Sequence, residues 1–478
     1  MSQNKTLMTE QLMADFRTAG NPLAVTRALQ AAIDATGHRG GGLVSVPPGE
    51  WTIATVFLRS GVRLHLQRGC VLKAHTDLSD YPQLPRGHNK DRQPYHLLVA
   101  DGCEHVTIEG DGTIDGQGEA FWERPIRDLR AEGVDVSDDI ARAPSRWPID
   151  GPFWRGWGPR ITPLVEIRHC RHVVLRDFTI LNSPGWTVHP FCCDFVRIEG
   201  LTLDSHMYGP NTDGLDINGC RDVFVSNCRI AGCDDAIILK ATEDARSCER
   251  VVVTNCNLKT NCAALGLGAE VACGIRDVSM SNCVVEQALR MIQIEMWEPG
   301  IVENVTISNI TGATMTEEAP VEKVVYLDIQ QHGRPEPTLG QMRNIVISNI
   351  TARTRGRIIM TAQDGSHIED VTLRDIQLIY PEVENAAERV PQCKSNQNNN
   401  YNPHSRIINS VVVADNVRGL VASNLSARIP PAGPDVPAMH GLWLRNVQDG
   451  WIDCPRLQAN DPAVERFALN GCDVTVRE

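Results

Sequence analysis

The sequence predicts an all-β chain wound as a parallel β-helix, closed at its N-terminal end by a helix. Three observations carry this: a strand-like unit recurring with a period near 27, an asparagine at the same place in successive copies, and apolar–polar alternation within each copy. The copies run Val173–Ile180, Val196–Leu203, Val223–Cys228, Val251–Cys256, Val278–Cys283, Val305–Ile310, Ile345–Ile350, Val371–Ile376 and Leu420–Leu425. From Asn227 the central asparagine steps by 28 to Asn255, by 27 to Asn282, by 27 to Asn309 and by 40 to Asn349.

Alternation with period two is the signature of a strand. A repeat of this length is too short for a propeller blade and carries no helical pattern. One turn of three short strands joined by tight turns fits it. The asparagines then stack at one turn, passing amide hydrogen bonds from coil to coil. Cys228, Cys256 and Cys283 follow them directly and form an inward column of small apolar side chains, since no C-x2-C spacing suggests a metal site.

An open β-helix end invites edge pairing, so it needs a cap. The stretch from about 20 to 36 reads as an amphipathic helix with Val25, Leu29, Ala32 and Ile33 on one face. Two long irregular segments, about 122 to 160 and 379 to 408, interrupt the repeat; the first carries Trp122, Trp147, Trp154 and Trp157. Long loops on a repeat scaffold gather on its functional face, so they are read as shaping a substrate cleft. Residues 409 to 478 supply the last coils and a C-terminal cap. The whole of 1–478 is expected to form a single β-helix domain, although length alone would suggest about three.

The chain has 478 residues, 42% hydrophobic and 22% charged, with a formal net charge of -13. That balance excludes a nucleic-acid partner, which needs a basic stripe. No apolar run of about 18 residues occurs, so no membrane partner is expected. The segment Met1–Met8 lacks the basic and apolar regions of an export signal, and the sixteen cysteines are therefore read as reduced thiols of a cytoplasmic protein.

Stacking the copies places side chains on neighbouring rungs. The segments after Asn227, Asn255 and Asn282 each run thirteen residues, to Lys240, Gly268 and Glu295. The inward columns become Ile237, Leu265, Ile292 and Leu239, Leu267, Ile294. Matching Leu215 and Ile217 to them sets Asp213 over Asp235. Rungs lie about 4.8 Å apart, so Asp213, Asp234 and Asp235 converge on one face, with Asp216, Lys240, Gln293 and Glu295 beside them. Clustered carboxylates repel, which raises at least one pKa and lets one keep a proton near neutrality. The competing readings are a calcium site and a solvated polar turn. His189 is a subsite candidate or a buried, hydrogen-bonded histidine, and Tyr208 and Trp297 are candidate sugar platforms.

With Gly110–Gly118, Asn182–Trp186, Asn211–Gly214 and Gly232–Asp235 in view, the chain resembles glycoside hydrolase family 28, the polygalacturonase and rhamnogalacturonase-like family. The resemblance covers about residues 22 to 380 and implies a right-handed, pectin-lyase-like solenoid. It implies Asp234 as general acid, Asp213 and Asp235 as the groups activating water, and inversion at the anomeric carbon. Two motifs of the family are replaced. Its Gly-His-Gly falls at Cys262-Ala263-Ala264, and its Arg-Ile-Lys at Gln293-Ile294-Glu295 or, in a second alignment, at Arg290-Met291-Ile292. A glutamate facing a uronate carboxylate repels it, so plain polygalacturonate is not the expected substrate.

These readings lead to a cofactor-free, metal-independent inverting glycosidase that cleaves α-linked bonds in pectin-type oligosaccharides. Its rivals are a polysaccharide lyase, a non-catalytic carbohydrate-binding β-helix and, more remotely, an epimerase on the same scaffold.

Overall fold

The computed structural model describes residues 22–87, 92–142, 150–314, 322–331, 338–381, 408–434 and 436–477. Of the features singled out above, Trp147 and residues 382–407 of the second long segment lie outside the described residues. The chain gathers into two compact units. The first comprises Met1–Pro125, Phe153–Ile237 and Thr242–Cys256, and the second Ile126–Pro152, Ile238–Ala241 and Asn257–Glu478.

In the first unit every strand pairs in parallel with the strand three places on, so one coil is three strands. Arg171–Arg176 lies between Glu104–Glu109 and Asp194–Glu199. Thr179–Leu181 lies between Thr113–Asp115 and Thr202–Asp204. Val188–Phe191 lies between Val165–Arg168 and Leu215–Asn218. Parallel connections of this kind wind right-handed, because right-twisted strands pack back on themselves only that way. Alternation within each strand sends Val106, Val173, Val196, Val223 and Val251 inward, all fully buried.

The helix Pro22–His38 closes the first coils. Val25, Leu29 and Ile33 are buried on its inner face, whereas Ala32 sits at the flank and is only half-buried. Gln30 treats the strand Val56–Phe57 as a neighbouring strand would: its Nε2 donates to Phe57 O (2.9 Å) and its Oε1 accepts from Phe57 N (2.7 Å). Thr26 Oγ1 accepts from Ala54 N in the same way. The exposed edge is thereby satisfied by side chains instead of a further strand.

Every described cysteine is a free thiol. Cys228 and Cys256 are buried as the repeat requires. A second column, Cys103, Cys170, Cys193, Cys220 and Cys248, also stacks inside the first unit, with Cys103 N, Cys170 N and Cys193 N each 3.3–3.4 Å from the sulfur one coil on. Burial pushes the Cys248 thiol up to about 12, which keeps it protonated and inert.

In the second unit two strands of each coil fuse into one bent strand, as in Ile275–Gln287, Ile301–Ala313 and Gln341–Arg353. The bend falls at Asn282, Asn309 and Asn349, whose φ values of 56°, 58° and 55° are left-handed. Asparagine tolerates that conformation better than other residues with a Cβ. Its amide then ties the coils: Asn309 Nδ2 donates to Asn282 Oδ1 (2.9 Å) and Asn349 Nδ2 to Asn309 Oδ1 (2.7 Å). Leu265 pairs with Ile292 and Leu267 with Ile294, the expected register. Within the first long segment the described residues form two short helices, Ile126–Ala131 and Ser137–Arg142.

Asn309→Ala should therefore lower stability by about 2 kcal/mol in chemical denaturation, from two lost amide hydrogen bonds and a strained left-handed alanine. Asn309→Gly, free of the backbone strain, should recover part of that loss. Equal losses in both variants would contradict a conformational role.

Candidate active site

In the first unit the segments 211–216 and 232–236 lie on adjoining coils. Gly214 N donates to Asp235 O (2.9 Å) and Leu215 N to Ala236 O (3.0 Å), the parallel offset that sets Leu215 beside Ile237 and Asp213 beside Asp235. The two glycines permit this approach. A Cβ on Gly214 would stand 2.4 Å from Ala236 O, and one on Gly232 would stand 2.2 Å from Thr212 O. Thr212 Oγ1 accepts from Cys233 N (2.8 Å) and fixes the turn that presents the next two residues.

The three aspartates differ in exposure. Asp213 is buried, Asp235 is 9% exposed and Asp234 is half-buried. Carboxylate oxygens of Asp234 and Asp235 lie within 4.8 Å of each other. Asn211 Nδ2 reaches Asp234 Oδ2 at 3.5 Å, and Arg160 Nη2 steadies Asn211 through its Oδ1 (3.2 Å). Asp234 is thus the carboxyl best placed to meet a ligand.

Beside them, the pairing of Val188 with Leu215 puts His189 level with Asp216. His189 is buried, and its Nδ1 meets Glu166 Oε2 at 2.7 Å. Its Nε2 has no hydrogen-bond partner among the described residues. Arg92 grips the other Glu166 oxygen through Nε (2.8 Å) and Nη2 (2.6 Å). Burial opposes ionisation of Glu166, but His189, His96 and Arg92 outweigh it and hold the carboxyl well below its usual range. Burial also pushes His96 down to about 4, and its Nδ1 lies 2.8 Å from Pro163 O.

Tyr208 is half-buried, edge-on to Phe153 at 5.6 Å and to His206 at 6.1 Å. Trp122 is buried, with Nε1 donating to Pro184 O, so it packs the scaffold. Sequence reasoning missed Glu166, Arg92, His96 and Arg160. A glutamate set between Val165 and Ile167 was the one visible signal.

The remaining candidates belong to the second unit. Lys240 is buried and bonded to Glu270 (2.8 Å). Arg290, Gln293 and Glu295 are also buried on the strand Arg290–Met296. The Arg290 guanidinium donates to Gln293 Oε1, lies 3.5 Å from Glu295 Oε2 and contacts Cys262 Sγ (3.1 Å). Glu295 Oε1 accepts from Trp297 Nε1 (2.9 Å) and Gln330 Nε2 (3.3 Å). The anion expected here is thus partnered by a guanidinium from the same strand, and the pair carries no net charge.

The next coil continues this pattern, with Gln293 beside Tyr326 and Glu295 beside Asp328. Burial, aided by repulsion from Glu295, pushes the Asp328 carboxyl up to about 8. Thr361 donates a hydrogen bond to it, and Lys323 lies over the Tyr326 ring at 4.5 Å.

Because Asp328 has a folded pKa of about 8 against an ordinary 3.8, the folded chain holds a proton there that the unfolded chain has released. Its contribution to stability therefore falls as pH rises across that window. Asp328→Asn, neutral at every pH and still able to accept from Thr361, should raise the melting temperature relative to the parent at pH 8 and leave it unchanged near pH 4. Equal destabilisation at both would contradict a protonated Asp328.

A family model for glycosyl hydrolases family 28 matches residues 157–401, just over half of the chain. A probable polygalacturonase of Vitis vinifera is 28% identical over 325 residues, covering 63% of this chain and 60% of its own length. The chain thus spans three-fifths of that relative. An endo-polygalacturonase of Pectobacterium carotovorum is 21% identical over 377 residues, 77% of this chain and 86% of its own. Among solved structures, an exopolygalacturonase from Thermotoga maritima superposes with a TM-score of 0.60 at 18% identity, covering 92% of this chain and 96% of its own. A family 28 exopolygalacturonase from Yersinia enterocolitica gives 0.62 at 17%, over 90% and 76%. These likenesses bear out the right-handed parallel β-helix, and the matched segment, which holds all three aspartates, carries the family: the chain belongs to glycosyl hydrolases family 28.

Proposed function

We propose that the chain is an inverting glycoside hydrolase that cleaves α-linked bonds in pectin-type oligosaccharides. The observation that carries this is the stacking of Asp213 beside Asp235 with the more open Asp234 next to it. Hydrolysis with inversion needs one carboxylic acid and a carboxylate that activates water on the opposite face of the sugar. Asp234 gives its proton to the leaving glycosidic oxygen as the bond from the anomeric carbon breaks. Water attacks that carbon from the other side and passes its proton to Asp213 or Asp235. One anion close to Asp234 favours its protonated form, as the acid role requires. Asn211, braced by Arg160, sets the direction of the Asp234 carboxyl.

From the replaced Arg-Ile-Lys motif we further propose that oligosaccharides bearing neutral residues are preferred over plain polygalacturonate. No residue in this scheme requires a metal, and turnover is expected to survive chelation.

Asp234→Asn, assayed on a panel of pectic oligosaccharides, should lower kcat by about 10³-fold with little change in KM. Turnover that survives the substitution, or a product absorbing in the ultraviolet as an unsaturated uronate, would overturn the assignment.

A further inference from the structure

We propose that the first unit carries a second saccharide site, a groove for an acidic oligosaccharide on a sheet other than the one that follows Asp213. The sheet consists of Val62–Leu66, Glu104–Glu109, Arg171–Arg176, Asp194–Glu199 and Arg221–Ser226. Its outward row reads Arg63, Thr107, Val174, Arg197, Phe224 in continuous register. The two small side chains in the middle leave a depression of about 540 Å³ between the flanking arginines.

One wall is a ladder of rings at the bend. His105 stacks on His172 at 4.6 Å and 5°, and His172 on Phe195 at 4.9 Å and 11°. Phe195 is 40% exposed and Phe224 52% exposed. A lone exposed aromatic is unremarkable, but two lining one groove rimmed by charge mark a binding surface. Phe224 offers apolar area to the C–H face of a sugar ring, while Phe195, stacked on His172 with the Arg171 guanidinium 4.8 Å from its ring centroid, continues the wall.

Charge selects the ligand. Asp222 at the groove's end is held by Arg250 at 2.7 and 3.0 Å, which cancels it. Arg63 shares Glu109 with Arg176. Arg197 makes no ion pair or hydrogen bond among the described residues, so its planar donor fork faces solvent ready for a carboxylate. The groove is thus locally cationic in a chain of net charge -13. Arg63 and Arg197 stand three rungs, about 14 Å, apart, so one short chain with carboxylates on separate residues reaches both. The choice of a saccharide over another polyanion rests on the proposed hydrolase activity.

The test is calorimetric titration of a defined oligogalacturonate into the Asp234→Asn protein, alone and combined with Arg197→Ala or Phe224→Ser. Either groove substitution should remove one binding event or weaken it about tenfold, with Arg197→Ala costing less at high salt, where its charge is already screened. Each single groove variant should keep the melting temperature and the hydrolysis of short oligosaccharides. A neutral oligosaccharide should show no event sensitive to Arg197→Ala. If hydrolysis proves absent while the groove-dependent binding persists, the functional reading fails and the groove stands. Unchanged binding in both variants would overturn the groove. So would equal loss for the neutral ligand, or an acidic peptide competing equally well. Self-association abolished by Phe224→Ser without saccharide binding would assign the surface to a second copy and overturn it too.

Discussion

The interaction on which the rest depends is the parallel hydrogen-bonded register between successive coils. Once Leu215 N is bonded to Ala236 O, every side chain on those rungs has a fixed neighbour about 4.8 Å away. The same register creates the apolar valine columns, the asparagine ladder, both cysteine columns and the apposition of Asp213 with Asp235. Left-handed asparagines and aspartates hold it at the bends, because a slip of one residue would turn each strand inside out. Gly214 and Gly232 serve the register more than flexibility, since neighbouring carbonyl oxygens occupy the space a Cβ would need.

A scaffold this regular can carry charge where most proteins would not. The outward sheet faces bury Glu166, His189, Arg290, Glu295 and Asp328, and each is matched to partners on its own or adjoining coils. Glu166 stays ionised because His189 and Arg92 share its two oxygens. Asp328 is fully buried and sits beside Glu295, and together these outweigh the Thr361 hydrogen bond and the attraction of Lys323, so neutrality is its favoured state. Two carboxyls of similar burial are thereby pushed in opposite directions by what the next coil supplies.

Much of this was legible in the sequence, and the parts that were not share a cause. Columns counted from Asn227, Asn255 and Asn282 gave the pairings of Leu265 with Ile292 and Leu267 with Ile294. The count ended where the period broke: Asp328 and Tyr326 lie within the 40-residue step from Asn309 to Asn349. Arg92 and Arg160 come from irregular segments that no period reaches. Arg290 shows a different limit. Register placed its backbone correctly, but its long side chain reaches past Met291 to Gln293 and Glu295, a distance that residue counting does not see. Trp122 was read with the cleft, yet its indole proved to be packing, because an aromatic in a long loop carries no mark of which way it faces.

The account's central claim is that one aspartate protonates the leaving oxygen while its stacked neighbours direct water to the far side of the sugar. The most direct test is proton NMR of the first reducing end released from an α-linked pectic oligosaccharide, recorded before mutarotation. The β anomer is predicted as the initial product. An initial α anomer would show that the bond is cut with retention and would contradict the roles given to Asp213, Asp234 and Asp235.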